Sequence, residues 1–191
     1  MIVNGVEMRP LRPEDARPLA EALVRNLDYL APYEPPRPAD FHTEQGQRLR
    51  VAELLEARAA LRSVPWVLQD TADGRIAGAV NLNNLVLGPF RSSSVGYWIG
   101  EEYRGRGLAT AAVAEVTRAA RDEFGLHRLE AGTLLDNHAS QRVLLKSGFE
   151  PFGTAPNYLY IDGAWRDHRL FQKLLHGDPP GPLPAPPAGD A

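Results

Sequence analysis

Apolar and polar positions along this chain change period several times, and each change marks an element. Val6 to Arg12 reads as a short first strand, and Pro13-Glu14-Asp15 then opens a helix with proline and acids in its first turn. Leu19, Ala22, Leu23, Asn26 and Leu27 recur at helical spacing and give that helix an inner face. Tyr33-Glu34-Pro35-Pro36-Arg37-Pro38 breaks it into a stiff loop. A second helix is predicted from Thr43 to Leu61. Trp66-Val67-Leu68-Gln69 and Ile76 to Leu82 are strand-like runs, and Asp73-Gly74 between them is a hairpin signal. The loop Leu87-Gly88-Pro89-Phe90 leads to a strand from Val95 to Gly100.

A long helix is expected from Gly107 to Phe124, with Leu108, Ala112, Val113, Val116, Ala120 and Phe124 on one side. Arg128 to Leu135 is the next strand. Ala139 to Lys146 is a short helix, with Gly148 as its C-cap. Phe149–Gly153, Tyr158–Ile161 and Trp165–Leu174 predict a closing antiparallel hairpin, turned at Asp162-Gly163. The predicted class is α+β: a mixed, mainly antiparallel central sheet flanked by helices.

A chain of 191 residues suits one domain with a sizeable core. The folded domain is expected over residues 1–176, because 177–191 read GDPPGPLPAPPAGDA, with six prolines and no aromatic residue. Such a Pro-rich tail has little to bury and is expected to be disordered or extended. Net charge is -3, from 21 basic and 24 acidic side chains, which argues against nucleic-acid binding by bulk charge. The absence of cysteine excludes disulfides, thiolate nucleophiles and Cys-based zinc sites, and no metal is expected. No apolar run is long enough to span a bilayer and the N-terminus lacks signal-peptide character, so a cytoplasmic location is expected. Monomer and homodimer both fit.

Glu102-Tyr103-Arg104-Gly105-Arg106-Gly107-Leu108-Ala109 joins a strand to the long helix. The first N–H groups of a helix lack internal partners and carry the positive end of its dipole. Gly105 and Gly107 let this turn curl so that successive N–H groups point inward, as a diphosphate requires. Arg104 and Arg106 add charge, and Ala109 leaves the approach open. A Walker A loop would need Lys and Ser or Thr after its second Gly, which are absent; a Rossmann fingerprint would need Gly or Ala where Thr110 stands. Alone, the turn reads equally as a glycine-rich connection with solvated arginines. A second polar turn, Leu135-Asp136-Asn137, precedes the helix that opens His138-Ala139-Ser140, and Asn137 suits its cap.

The two turns together resemble the GNAT acetyltransferases. Arg104-x-x-Gly107-x-Ala109 is similar to their acetyl-CoA motif, and Asn137-x-x-Ser140 through Gly148-Phe149 to their second cofactor segment. Gly96-Tyr97-Trp98-Ile99, Asp136 to Ser140 and Tyr160 to His168 resemble the RimJ/RimL branch, which acetylates N-terminal amines of ribosomal proteins. The resemblance implies acetyl-CoA as cosubstrate and the GNAT fold. It implies main-chain contacts to pantetheine from Trp98, Ile99 and Gly100, and a diphosphate held by Arg104, Gly105, Arg106, Gly107, Leu108 and Ala109. It makes Asn137 a pantetheine contact and Ser140 the donor to the leaving thiolate, although both residues also suit the first turn of a helix. Lys146 could reach a CoA phosphate.

The branch carries a Glu before the Tyr of the closing hairpin, and here that position is Leu159. The general base is therefore open among Glu34, Glu101, Glu102, Glu130 and His138. A terminal α-amine has a pKa of about 7.7–8.0, so a fair fraction is neutral near physiological pH, whereas Lys near 10.4 would need more help. The missing Glu thus favours an α-amine acceptor. Family geometry implies an acceptor pocket from Tyr33, Glu34, Asn83, Tyr158 and Tyr160, with ordinary sheet packing as the competing role for the last two. A small-molecule amine as acceptor, and a non-catalytic acyl-CoA sensor, remain alternatives on the same scaffold.

Overall fold

The computed structural model describes residues 2–181. One eight-stranded sheet crosses it in the order β1-β2-β3-β4-β5-β6-β8-β7. Here β1 is Ile2–Val3, β2 Val6–Pro10, β3 Val64–Asp70, β4 Ile76–Val86, β5 Ser92–Ile99, β6 Arg128–Leu134, β7 Glu150–Ile161 and β8 Ala164–Leu174. All neighbours pair antiparallel except β5 and β6, which are parallel. The helices are α1 Ala16–Arg25, α2 Leu27–Leu30, α3 Glu44–Ala59, α4 Leu108–Asp122 and α5 His138–Lys146. A parallel neighbour needs a crossover, and α4 supplies it between β5 and β6.

Strand alternation sorts the core into two layers. Val64, Leu68, Val80, Leu82 and Val95 face α4 and α5, where they pack with Leu108, Ala112, Val113, Val116 and Leu144. Val67 and Ile76 face the other way, against Ala16, Leu19 and Ala22 of α1 and Val51 of α3. Leu19, Ala22 and Leu23 of α1 and Leu108, Ala112, Val113, Val116 and Ala120 of α4 are buried as their spacing predicts, whereas Leu27 falls in α2 and is 44% exposed and Phe124 is partly buried. Asn26, read with the apolar face of α1, is buried too, but as a polar tie.

The helical ends follow local chemistry. Thr43 is the N-cap of α3, its side chain accepting from the Gly46 N–H at 3.0 Å. The turns at Asn4-Gly5 and Asp162-Gly163 place both residues at positive φ, as two-residue hairpins demand. The expected break within the closing hairpin is absent: β7 runs continuously across residues 154–157, with irregular register at Pro151/Gly153 and Ala155/Leu159.

The end of β2 is fastened to α1 by a buried ion pair. Arg9 donates to both carboxylate oxygens of Asp15, at 2.8 and 2.7 Å, and its Nε donates to Gln69 at 2.9 Å. The two charged side chains are only 11% and 4% exposed. Removing one partner strands the other's charge in the interior. Asp15→Ala is therefore expected to cost about 3–5 kcal/mol, read as a lower urea midpoint at an unchanged m value.

Two carbonyls near the C-terminal end of the described residues bond back to the domain. His127 Nδ1 bonds the His176 carbonyl at 2.6 Å, and the Arg91 guanidinium donates to the Gly181 carbonyl. Of residues 177–181, Gly181 thus has a partner in the body of the domain. The rest of the Pro-rich tail, 182–191, lies outside the described residues.

Candidate active site

The parallel pair defines the site by coming apart. Only Ser92–Ser94 pair with Arg128–Glu130; beyond them β5 continues to Ile99 bonded on one edge, to β4. Main-chain groups alternate sides along a strand, and the Gly100 N–H already donates to Ala77 O at 2.8 Å. Gly96, Trp98 and Gly100 therefore bond toward β4, while Val95, Tyr97 and Ile99 present N–H and C=O groups to the gap. Of the three expected main-chain contacts, Ile99 is so placed. Trp98 and Gly100 are not, and Tyr97 takes the position that sequence reading missed. The register of β5 on β4, which a single strand pattern does not contain, decides this.

A cleft of about 1150 Å³ passes through the sheet at this gap. On one face it is lined by Arg104, Gly105, Gly107, Leu108, Ala109, Thr110, Tyr97, Asn137 and Ser140. On the other it is lined by Tyr29, Tyr33, Glu34, Asn81, Asn83, Asn84 and Trp98. Five basic side chains border it (Arg37, Arg50, Arg104, Arg142 and Lys146) against a single acid, Glu34. Such a cleft favours an anionic ligand.

The cradle is open and braced from behind. Gly105 and Gly107 have φ of +72° and +75°, and a Cβ built at either meets nothing within 4 Å. Beyond Arg104, the N–H groups of residues 105–110 find no acceptor among the described residues. Unpaired donors at a helix N-terminus, five of them on residues that line the cleft (Gly105, Gly107, Leu108, Ala109 and Thr110), fit a diphosphate. Arg104 borders this space, with its guanidinium 5.4 Å from the Tyr29 ring. Arg106 is turned away instead. Its guanidinium lies over the Tyr103 ring and donates to Asn4 O at 2.6 Å, while Asn4 Nδ2 donates back to Arg106 O at 2.8 Å. It pins the cradle to the β1–β2 turn. Asn26 does the same from α1: its Oδ1 accepts from the Glu101 N–H at 2.7 Å and its Nδ2 donates to Ala22 O at 2.9 Å. A Cβ at Gly100 would sit 3.0 Å from the Glu102 carboxylate and 3.1 Å from the Asn26 amide, so these side chains would have to give by a few tenths of an ångström to admit one.

Across the gap, Asn137 caps α5, accepting from the Ser140 N–H at 3.0 Å. That bond fixes the first turn and directs Ser140 into the cleft. The Ser140 hydroxyl lies 2.8 Å from the Tyr97 hydroxyl, which is also 3.3 Å from the Ser140 carbonyl. Burial pushes the Tyr97 phenol up to about 12, with the Ser140 hydrogen bond opposing. The phenol therefore keeps its proton at neutral pH and serves as a donor to Ser140.

Only one of the five candidate bases borders the cleft. Glu34 does so, with Arg37 donating to its carboxylate at 3.1 Å. Glu101, Glu102, Glu130 and His138 are not part of the lining; Glu102 and Glu130 pair with Arg25 and Arg128, and Glu101 lies at the rim, 3.7 Å from the cleft-bordering Arg104. Of the acceptor residues expected, Tyr33, Glu34 and Asn83 line the cleft together. Tyr158 and Tyr160 do not: they pack on the β7–β8 hairpin, against His168 and Trp165. No cluster of three metal-ligating side chains occurs among the described residues.

This geometry matches a known family. The acetyltransferase (GNAT) domain model matches residues 6–150, and the chain belongs to that family of N-acetyltransferases. It is 32% identical over 170 residues to the ribosomal protein uS5-alanine N-acetyltransferase of Escherichia coli, covering 89% of this chain and 88% of that one. Among solved structures, the ribosomal-protein-S5-alanine acetyltransferase of Vibrio fischeri superposes with a TM-score of 0.88 at 33% identity, covering 91% of this chain and 95% of that one. RimJ of Mycobacterium smegmatis, in complex with CoA-disulfide, superposes with a TM-score of 0.84 at 32% identity, covering 88% and 81%. No helix of the described residues is long and apolar enough to cross a membrane.

Proposed function

We propose that this protein moves an acetyl group from acetyl-CoA to the N-terminal α-amine of a protein, by direct attack in a ternary complex. The observation that carries the reading is the cleft through the parted β5–β6 pair. It offers a cofactor from one face and an amine from the other a meeting point beside Ser140. The relatives named above for acetylating a ribosomal-protein alanine supply the acceptor class.

On the cofactor face, the N–H groups of 105–110 take the diphosphate, with Arg104 beside it. Pantetheine lies along β5 as an extra strand, bonded by Tyr97 and Ile99. Asn137 orders the turn that holds Ser140. The neutral amine attacks the thioester carbonyl; a C–N bond forms and the C–S bond breaks. Ser140 donates a hydrogen bond that stabilises the leaving thiolate, which then takes its proton from solvent. Glu34 attracts the ammonium and takes a proton from the amine through water. The acceptor stands against Tyr33, Glu34 and Asn83.

The test is CoA release with N-terminal alanine peptides, N-blocked lysine peptides and small amines. N-terminal peptides are expected to react and their N-blocked forms to be inert. The neutral amine is the nucleophile, so kcat/KM should rise with pH through about 7.7–8.0. Glu34→Gln is expected to lower kcat/KM by about 100-fold with acetyl-CoA affinity unchanged. Faster turnover of a small amine would replace the peptide reading. Tight acetyl-CoA binding with no acceptor turned over would make the protein a sensor.

A further inference from the structure

A second recess, of about 420 Å³, adjoins the cleft. The two share Leu30, Glu34, Pro35 and Arg37 as a common wall, so a chain leaving the amine position can continue from one into the other. The recess is roofed by the Pro-rich loop after α2 and closed on the far side by the Asp162-Gly163 turn of the β7–β8 hairpin. Leu23, Leu27, Pro36, Pro38 and Ala39 make most of its lining apolar. Its charges are matched within the protein: Glu34 with Arg37 at 3.1 Å, and Asp162 with Arg166 at 3.5 Å. Leu27 on its wall is 44% exposed, an apolar surface that the described residues leave open.

We propose that this recess is a specificity subsite that accepts a bulky apolar side chain from a residue downstream of the acceptor's terminal amine. The proposal rests on the α-amine reading of the cleft and narrows it to a class of peptide. The argument is continuity with the catalytic cleft. Glu34 stands at the junction, where it faces the amine on one side; it and Asp162 are ion-paired within the protein, which leaves His42 as the polar side chain of the recess without an ion-pair partner. The stiff Pro35–Pro38 loop holds the recess open before binding, so little ordering is lost when it fills.

The experiment uses alanine-first hexapeptides in which Leu, Gly or Asp is walked through positions two to four, with acetyl-CoA as donor. At one position Leu is expected to exceed Gly and Asp in kcat/KM by about tenfold or more, the effect of burying a Leu-sized side chain. Leu27→Asp and Ala39→Glu, on two sides of the recess and outside the cleft lining, should each collapse that ratio to within about threefold. Tm and acetyl-CoA affinity report that each variant is folded. A flat series at all three positions, or a Leu/Gly ratio that survives both substitutions, overturns the subsite while leaving α-amine acetylation standing. No acetylation of any peptide overturns the α-amine reading and the subsite together.

Discussion

Replacing Gly107 with valine is expected to weaken acetyl-CoA binding by about 100-fold or more while the domain still folds. Gly107 sits at φ +75°, immediately before α4, and a Cβ there projects into open cleft rather than into protein. Two effects act together. A β-branched residue is strained at this φ, at a cost of about 1–3 kcal/mol, and relaxing the strain rotates the donor N–H groups off their target. The side chain also fills the space through which the diphosphate approaches. Each charge-assisted hydrogen bond lost weakens binding by about tenfold or more. Gly88→Val separates the two effects. Gly88 has φ +78° and open space around it, but lies outside the cleft lining. It should lower Tm comparably and leave acetyl-CoA affinity, measured by calorimetry, as in the parent. Equal affinity in Gly107→Val would remove the cradle from cofactor binding.

The helices and most strands are legible because their signals are local. Apolar spacing marks α1 and α4, and glycines at positive φ mark the turns. The strand over Ser92–Ser94 is not legible, since three serines in a row carry no apolar alternation. They are stranded because β4 and β6 flank them and because Ser93 and Ser94 find an acceptor in the Asn83 carbonyl, at 2.7 and 3.2 Å. That short polar stretch is where the parallel pairing begins and ends, so the most informative feature of the site lies where the sequence signal is weakest. The Asn4-Gly5 turn is the reverse case: a strong hairpin dipeptide that sequence reading passed over, because the strand before it is only two residues long.

The site divides along the same line. The cradle glycines and Asn137 are readable, since main-chain conformation and helix capping depend on the residue itself. Arg106 is not, since a side chain's direction depends on what its neighbours offer, here the Asn4 carbonyl. Nor is Tyr97, which looks like one aromatic among several in Gly96-Tyr97-Trp98. Alternation puts Trp98 against the α1 and α3 layer and Tyr97 on the opposite face, within reach of Ser140. The choice of Glu34 among five candidate bases likewise required distances in space. The loop that carries it is far in sequence from the strands it faces.

Ser140→Ala is expected to lower kcat by about 100-fold with acetyl-CoA affinity nearly unchanged, and Tyr97→Phe to lower it by about tenfold. Both hydroxyls are satisfied at rest in either of two ways. Ser140 donates to Tyr97 while Tyr97 donates to the Ser140 carbonyl, or Tyr97 donates to Ser140 and frees the serine proton for the cleft. A thiolate forming beside Ser140 selects the second arrangement. Burial serves this switch, because a phenol pushed up to about 12 does not ionise at working pH and remains a donor. If the two residues act as one unit, the double variant should be no slower than Ser140→Ala alone. Asn137 still caps α5 in both variants, so Tm should move little. A merely structural Tyr97 would instead lower Tm and acetyl-CoA affinity along with kcat, and its loss would multiply with that of Ser140. Full kcat in Tyr97→Phe would leave Ser140 to act alone.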